Sequence, residues 1–404
     1  MKFIPAAMLL TLTVVVTPAA RAQWNQALGA ETWFFSQTGS DGQTTRGFSA
    51  SYAPEFRDEW NGGDDRFTFE GFARYDSVDS SRTHGDIRSL YWHRLGLNWD
   101  LRLGMDRVFW GVTEFDNPAD VVNQTDLVES PDGDERLGQP MVRFTYLGEY
   151  GTWDLLALPG FRERTFADKD GRFRSTPAVS EDKAQYESGA GQHRLDAAVR
   201  FRFMWQQSDW ALLHFSGTSR DPVLNAELQN GELVLIPHYE VIDHTAATMQ
   251  SVHGSWLWKF ELVSRSGPIR RHTQATGGFE VTSYNWLQSG LDVGWIAEYL
   301  FDDRKNNLEV PFERDWFWGA RLQLNDIQSS ELLFGLVWDP AKAERIYSLE
   351  ASTRIGNAVS LDLEARAFSD DDAVDRGNPS ISTGNKLGFL QRDDYLRARI
   401  RWYF

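Results

Sequence analysis

The chain contains no cysteine. That excludes a disulfide framework, thiol catalysis and a lipid anchor on a leading Cys. Long apolar runs are also missing. No stretch of about 18 apolar residues follows Val16, so membrane-crossing helices are excluded. Basic residues are in deficit, 41 Lys and Arg against 58 Asp and Glu, for a net charge of −17. A chain this acidic does not suit nucleic acid as a partner. There is no Pro-rich linker, no low-complexity tract and no repeat longer than a hairpin, so one domain is expected over 23–404. Aromatic side chains, by contrast, are plentiful, with 17 Trp, 12 Tyr and 26 Phe. A polar average with many Trp and Tyr suits both a barrel ringed by aromatics and a secreted carbohydrate-binding β protein.

Met1–Ala22 has the form of a secretory signal peptide. Lys2 supplies the positive start, Phe3–Val16 the apolar core, and Ala20-Arg21-Ala22 the small-x-small cleavage site. Cleavage there leaves 382 residues (404 minus 22). It also removes Lys2 and Arg21, taking the balance to 39 against 58, a net −19.

The other end of the chain alternates strictly. Leu396, Ala398, Ile400, Trp402 and Phe404 share one face, and Arg397, Arg399, Arg401 and Tyr403 the other. Successive side chains of a strand point to opposite faces. A transmembrane barrel strand needs this arrangement, with apolar groups toward lipid, polar groups toward a wet lumen and aromatics at the interface. The final Phe404, with Trp402 two before it, resembles the C-terminal signal by which bacterial outer-membrane β-barrels are recognised for assembly. Arg399 stands where that signal usually has a small residue.

The alternation recurs. Leu97, Trp99, Leu101 and Leu103 oppose Asn98, Asp100 and Arg102. Leu195, Ala197, Val199, Phe201 and Phe203 oppose Asp196, Arg200 and Arg202. Trp258, Phe260 and Leu262 oppose Lys259 and Glu261. Leu291, Val293, Trp295, Ala297 and Tyr299 oppose Asp292 and Glu298. Trp318, Ala320, Leu322 and Leu324 oppose Arg321, Gln323 and Asn325. Val359, Leu361, Leu363 and Ala365 oppose Asp362, Glu364 and Arg366. Charge on so many polar faces points to a water-filled interior.

Tight turns at Glu149–Gly151, Gln206–Ser208, His253-Gly254, Asn325–Ile327 and Gly356-Asn357 alternate with long segments. The long segments are Gly104–Leu137, Gly160–Gly191, Gly217–Asp243, Phe301–Glu313 and Ser369–Arg392. Short turns at one end and long loops at the other are the pattern of an antiparallel up-and-down transmembrane β-barrel. About eighteen strands are expected, with sixteen the nearest rival, and both termini at the short-turn end. They include 139–148, 151–159 and 393–404, whereas 231–241 is assigned to a loop that a strand would also fit.

Two long segments carry candidate site residues. Gly104–Leu137 holds Arg107, Asp116, Asp120 and Asp126, and 120–128 is expected to form a short helix. Arg-Val-Phe-Trp-Gly at 107–111 is too apolar for a purely external loop. This segment is therefore the candidate constriction, with the alternative of a solvated outer loop. Gly160–Gly191 interleaves Arg162, Arg164, Arg172 and Arg174 with Phe161, Phe166 and Phe173, a set suited to phosphates of lipopolysaccharide or to anionic solutes. On the wall, Arg397, Arg399 and Arg401, with Asp362, Glu364 and Arg366 on the neighbouring strand and Arg200 and Arg202 elsewhere, are expected to line the lumen. They would either bias ion flow or neutralise one another as cross-strand pairs.

Enzymatic readings fare less well. His214-Phe215-Ser216 is similar to the His-x-Ser of outer-membrane phospholipase barrels, but the Asn that follows in that family is Gly217 here. The alternation of neighbouring residues would turn both side chains inward, and a triad needs a third member. His238 and His244 lack a third zinc ligand, and Asp302-Asp303 and Asp370-Asp371-Asp372 lack the oxygen-ligand pattern of a calcium loop. No enzyme and no cofactor are expected.

Arg-Val-Phe-Trp-Gly at 107–111 followed by Asn-Pro-Ala-Asp-Val-Val-Asn-Gln-Thr-Asp at 117–126 resembles a segment of uncharacterised porin-like outer-membrane proteins. Members of that group are associated with inner-membrane transporters of the resistance–nodulation–division type that handle hydrophobic or lipid cargo. The resemblance implies an outer-membrane location in a Gram-negative bacterium. The implied partners are membrane lipid and lipopolysaccharide, the barrel-assembly machinery and such a transporter system. The function expected is a passive channel for small solutes through a charged lumen. The alternatives are an occluded barrel in a lipid-trafficking or assembly system and, remotely, a lipid hydrolase.

Overall fold

A computed structural model describes residues 22–267, 270–304, 310, 312–342, 344–369, 387, 390 and 392–404. The signal-peptide residues up to Arg21, the Asp370–Asp372 run and most of the Ser369–Arg392 loop lie outside them.

The strands in chain order are β1 (Gln23–Phe35), β2 (Arg46–Trp60), β3 (Asp65–Asp76), β4 (His84–Leu95), β5 (Trp99–Asp106), β6 (Gln139–Gly148) and β7 (Gly151–Pro159). There follow β8 (Gln185–Tyr186), β9 (Leu195–Trp205), β10 (Ser208–Thr218), β11 (Val223–Gln229), β12 (Glu232–Tyr239), β13 (Val241–His253) and β14 (Trp256–Arg265). The last seven are β15 (His272–Ser283), β16 (Asp292–Asp302), β17 (Arg314–Gln323), β18 (Glu331–Trp338), β19 (Arg345–Ile355), β20 (Val359–Ser369) and β21 (Tyr395–Tyr403). Eighteen of them form one antiparallel sheet in which each strand pairs with its barrel neighbours in the chain. The seam closes between the ends of the chain, with Ala27 opposite Tyr403 and Phe35 opposite Tyr395. The sheet is therefore a barrel without a free edge.

The eighteen-strand expectation holds, and 139–148 and 151–159 match β6 and β7 residue for residue. Three details differ. Residues 232–239 are a strand, but they pair with β11 and β8 in a separate three-stranded sheet. The connection after β17 is longer than a tight turn, because Asp326 folds it through bonds from the Ser329 and Ser330 amides. No helix forms over 120–128. Val121, Val122, Asn123, Gln124 and Asp126 are all buried, and a helix would turn one of its faces to water.

The outer face is apolar. Leu396, Ile400, Trp402 and Phe404 are exposed on β21, as are Trp258, Phe260 and Leu262 on β14. Aromatic side chains concentrate at both rims, with Trp24, Trp60, Trp153, Trp256 and Trp402 at the short-turn end and Trp316 and Trp338 at the long-loop end. Such a surface is stable against hydrocarbon flanked by two interfaces, not against water. Among the described residues no helix is long and apolar enough to cross a membrane. The tight turn between β6 and β7 depends on Gly151 at φ 152, where a Cβ would collide with the Arg202 carbonyl.

Candidate functional site

The space inside the barrel is divided by the segment between β5 and β6. It turns inward at Arg107 and returns at Leu137. Val108, Trp110, Ala119, Val121 and Val122 pack with inward-facing residues of one half of the wall, namely Met141, Leu156, Leu158, Ala198, Leu213, Phe215, Ile242, Ala246 and Val263. These strands, β6, β7, β9, β10, β13 and β14, thus turn apolar side chains both to lipid and to the inward segment, with Asp154, Arg200 and Glu261 among the charged residues of their inner faces. Arg200 stacks its guanidinium over Trp110, 5.0 Å from the ring centre.

The packing also corrects one expectation. His214 and Ser216 do not point inward. The inner face of β10 is Ala211, Leu213 and Phe215, buried against the segment, so Leu212 and His214 turn outward. His214 Nδ1 bonds Thr245 Oγ1 at 2.8 Å. No hydrogen bond between His214 and Ser216 is found among the described residues.

Polar contacts hold the segment at five further places. Glu261 of β14 accepts the backbone N–H groups of Val112 at 2.5 Å, Thr113 at 3.1 Å and Ala119 at 2.9 Å. Glu298 of β16 accepts those of Glu114 at 2.7 Å and Phe115 at 3.0 Å. Across the barrel, Arg74 of β3 bridges Glu129 of the segment and Glu31 of β1, all three buried. Arg88 of β4 pairs with the fully buried Asp126 at 2.7 Å, and Arg366 of β20 pairs with Asp132. A carboxylate that accepts several N–H groups, or a guanidinium between two carboxylates, offsets the cost of burying the charge.

The segment does not fill the lumen. Between it and the wall from β17 to β21 lies a cavity of about 330 Å³. The segment lines it with Glu114, Glu129, Asp132, Asp134 and Glu135. The wall adds Glu331, Glu350, Asp362 and Glu364, with Arg321, Arg397 and Arg399 as the cations. Nine carboxylates thus face three guanidiniums. Burial and then the neighbouring Asp132 and Glu350 push the Asp134 carboxyl up to about 6. Burial would also raise Asp132, but the Arg366 guanidinium, together with bonds from the Ser130 hydroxyl and the Asp134 amide, outweighs it and holds that carboxyl below its usual range.

The arginine row of β21 reports where the cavity opens. Arg397 pairs with Glu364, while Arg399 and Arg401 pair with Asp362, at 3.6 and 3.0 Å for the latter two. Side-chain exposure rises along the row from 11% to 25% to 37% toward the short-turn end. Water therefore reaches the row from that end and is shut out near Arg397. Toward the long-loop end, Ile296, Leu300, Phe317, Val337, Ile346 and Leu387 cluster with Phe115, Phe312 and Leu390.

The twelve candidate residues fall into two groups. Arg397, Arg399, Asp362 and Glu364 line the cavity, Arg401 pairs with Asp362 beside it, and Arg366 braces Asp132. The others do not meet it. Arg200 and Arg202 share Asp154 on β7, Arg107 pairs with Glu70, Asp120 with Arg136 and Asp126 with Arg88. Asp116 is half-buried beside Glu261 and Glu298. The four arginines of Gly160–Gly191 are all engaged at the long-loop end, with Asp86, Asp221, Asp393 and Asp41. Among the described residues no group of three or more His, Asp or Glu side chains has the geometry to hold a metal ion. Sequence reasoning passed over Glu31, Arg74 and Arg88 as site residues, because an inward charge that anchors a loop looks the same in sequence as one that faces water.

No family model matches the chain, and no curated protein does. Solved structures do. A BenF-like porin from Pseudomonas fluorescens superposes with a TM-score of 0.53 at 10% identity, over 95% of this chain and 98% of that one. OpdK of Pseudomonas aeruginosa, solved with vanillate, gives 0.50 at 10% identity, over 95% and 98%. The chain has the fold of these barrels. Wzi of Escherichia coli, described as a carbohydrate-binding β-barrel involved in capsule assembly, gives 0.52 at 11% identity, over 93% and 83%. At these identities the likeness concerns the fold, and what passes through or binds inside this porin-like barrel must come from its own residues.

Proposed function

We propose that the protein is a restricted channel of a Gram-negative outer membrane, passing small cationic solutes and not catalysing a reaction. The observation that supports this is the cavity beside β17 to β21, lined by nine carboxylates and three guanidiniums, an excess of acid that remains after Glu129 pairs with Arg74, Glu114 with Lys259, Asp132 with Arg366 and Asp362 with Arg401. In a narrow low-dielectric passage such an excess lowers the energy of a cation and raises that of an anion. The short-turn end would face the periplasm, and the Trp402 and Phe404 ending would be read by the barrel-assembly machinery. Planar-bilayer recordings in a salt gradient test the proposal. Small openings with a reversal potential of the cation-selective sign are expected; anion selectivity would overturn it.

One observation favours a second reading. The apolar packing of 108–122 and the cluster around Phe115 and Phe317 close much of the bore. An occluded barrel serving lipid or hydrophobic cargo, with an inner-membrane transporter as partner, would show no openings in the bilayer. It would instead retain that partner when purified from membranes.

A further inference from the structure

The sealed half of the lumen is fastened by unusual means. Glu261 and Glu298 lie on the inner face of the wall, both nearly without solvent exposure. Among the described residues neither is paired with a cation in the way Glu31, Asp126 or Asp132 is. They accept instead the backbone N–H groups of 112–115 and 119, five in all. The Thr113 hydroxyl adds a bond to Glu261 at 3.0 Å. These residues of the segment have no secondary structure of their own, so the two carboxylates do the work that a sheet partner or helix turn would do.

Into this arrangement the sequence places a third acid. Asp116 sits between the two anchoring points. The groups around it are Glu261 from β14, Thr276 from β15, and Glu298 and Asp302 from β16. The Thr276 hydroxyl reaches Asp116 Oδ2 at 3.4 Å. The nearby cations are turned elsewhere: Lys259 Nζ and Arg321 Nη2 contact Glu114, at 3.3 and 2.6 Å. Two charged acceptors thus hold the segment, and a third carboxyl stands against them without a cation of its own among the described residues.

We infer that Glu261 and Glu298 form a latch that sets the bore by holding 112–119 across the lumen, and that Asp116 is the group whose ionisation loosens it. The effect of this latch on solute passage rests on the channel reading above; the latch itself does not.

The direction follows from the chemistry. Burial first, and then Glu261, pushes the Asp116 carboxyl from 3.8 up to about 7. Released into water it returns to its ordinary value. At low pH the Asp116 carboxyl is protonated in both states and contributes no loosening. Between about 4 and 7 the released state loses its proton first, so the latch weakens as pH rises. Above 7 both states are ionised and the weakening levels off.

Because the chain has no native cysteine, thiol labelling reads the latch without reference to ion flow. Ala119→Cys places a thiol at a fully buried position of the segment, and Leu97→Cys places one on a fully exposed turn. Full-length protein in vesicles is treated with a water-soluble maleimide, and each A119C rate is divided by the L97C rate at the same pH. At pH 5 the A119C thiol should react at least about tenfold more slowly than L97C, and the ratio should climb severalfold by pH 8. Adding Asp116→Asn should hold the ratio low throughout. Adding Glu298→Ala, which leaves two backbone donors without acceptors, should raise it at every pH. A ratio flat with pH in the A119C parent overturns the proposal, as does a rise that persists in D116N. So does an E298A variant as protected as its parent, with its barrel shown intact by heat-modified gel migration. Labelling that behaves as expected in a protein without openings removes the channel and leaves the latch.

Discussion

Two halves of the same lumen are built from opposite materials. From β6 to β14 the inner wall carries a packed cluster of Met141, Leu156, Leu158, Leu213, Phe215, Ile242 and Val263, covered by Trp110, Val121 and Val122, and its charged residues, such as Asp154 and Glu261, are buried. From β17 to β21 it is Arg321, Glu331, Glu350, Asp362, Glu364 and Arg397, facing water. Both halves present apolar side chains to lipid. The difference shows that a barrel strand has one fixed requirement, its outer face, while its inner face follows whatever it touches. Where a segment of the chain folds against the wall, the inner face becomes a packed core; where nothing does, it stays charged.

Substitutions in the two halves should therefore fail differently. The largest effect is expected at the sealed half. Trp110→Ala removes a side chain 2% exposed and should cost about 3–5 kcal/mol in detergent unfolding titrations, with noisier and larger channel openings. If it costs nothing, the segment is not packed there. Arg74→Met is expected to cost a comparable amount, about 3–5 kcal/mol, because it takes the guanidinium from the buried Glu129 and leaves Glu31 with Arg82 alone. Here the recovery of Arg74→Met in a Glu129→Gln background separates the loss of a charge partner from loss of packing. In the wet half the same experiments should register little. Glu350→Gln, at the cavity, is expected to change stability by no more than about 0.5 kcal/mol while moving the reversal potential toward zero. The smallest effect is expected at Arg202, which shares Asp154 with Arg143 and Arg200 and is 45% exposed; Arg202→Ala should be close to neutral in both assays.

The same contrast accounts for what the sequence could disclose. Strands such as 258–262 and 396–404 were legible because lipid on one side and charge on the other leave a clean period of two. The seam between β1 and β21 followed from an even strand number and from an aromatic ending that fits one rim. The orientation of His214 and Ser216 was not legible. Leu212-Leu213-His214-Phe215 has no polar face to read, since both faces of β10 are buried in something apolar. The inward course of 107–137 was signalled only by Val108, Phe109 and Trp110, side chains that a free loop has no use for. The absence of a helix at 120–128 reflects contacts on every side of Val121–Gln124, which no local propensity encodes. Asp120 and Asp126 carried the charge expected of a constriction but serve as anchors. Only the position of Arg136 and Arg88, fixed by the fold, separates the two roles.

The account stands on the claim that one folded segment closes the apolar half of the lumen and leaves an acid-lined passage beside the other. Single-channel recording of a variant in which residues 112–136 are replaced by a short Gly-Ser linker addresses this most directly. The account predicts a conductance several times that of the parent, with weaker preference for cations because five of the nine carboxylates leave with the segment. A variant that inserts as a folded barrel and conducts no better than the parent would contradict it.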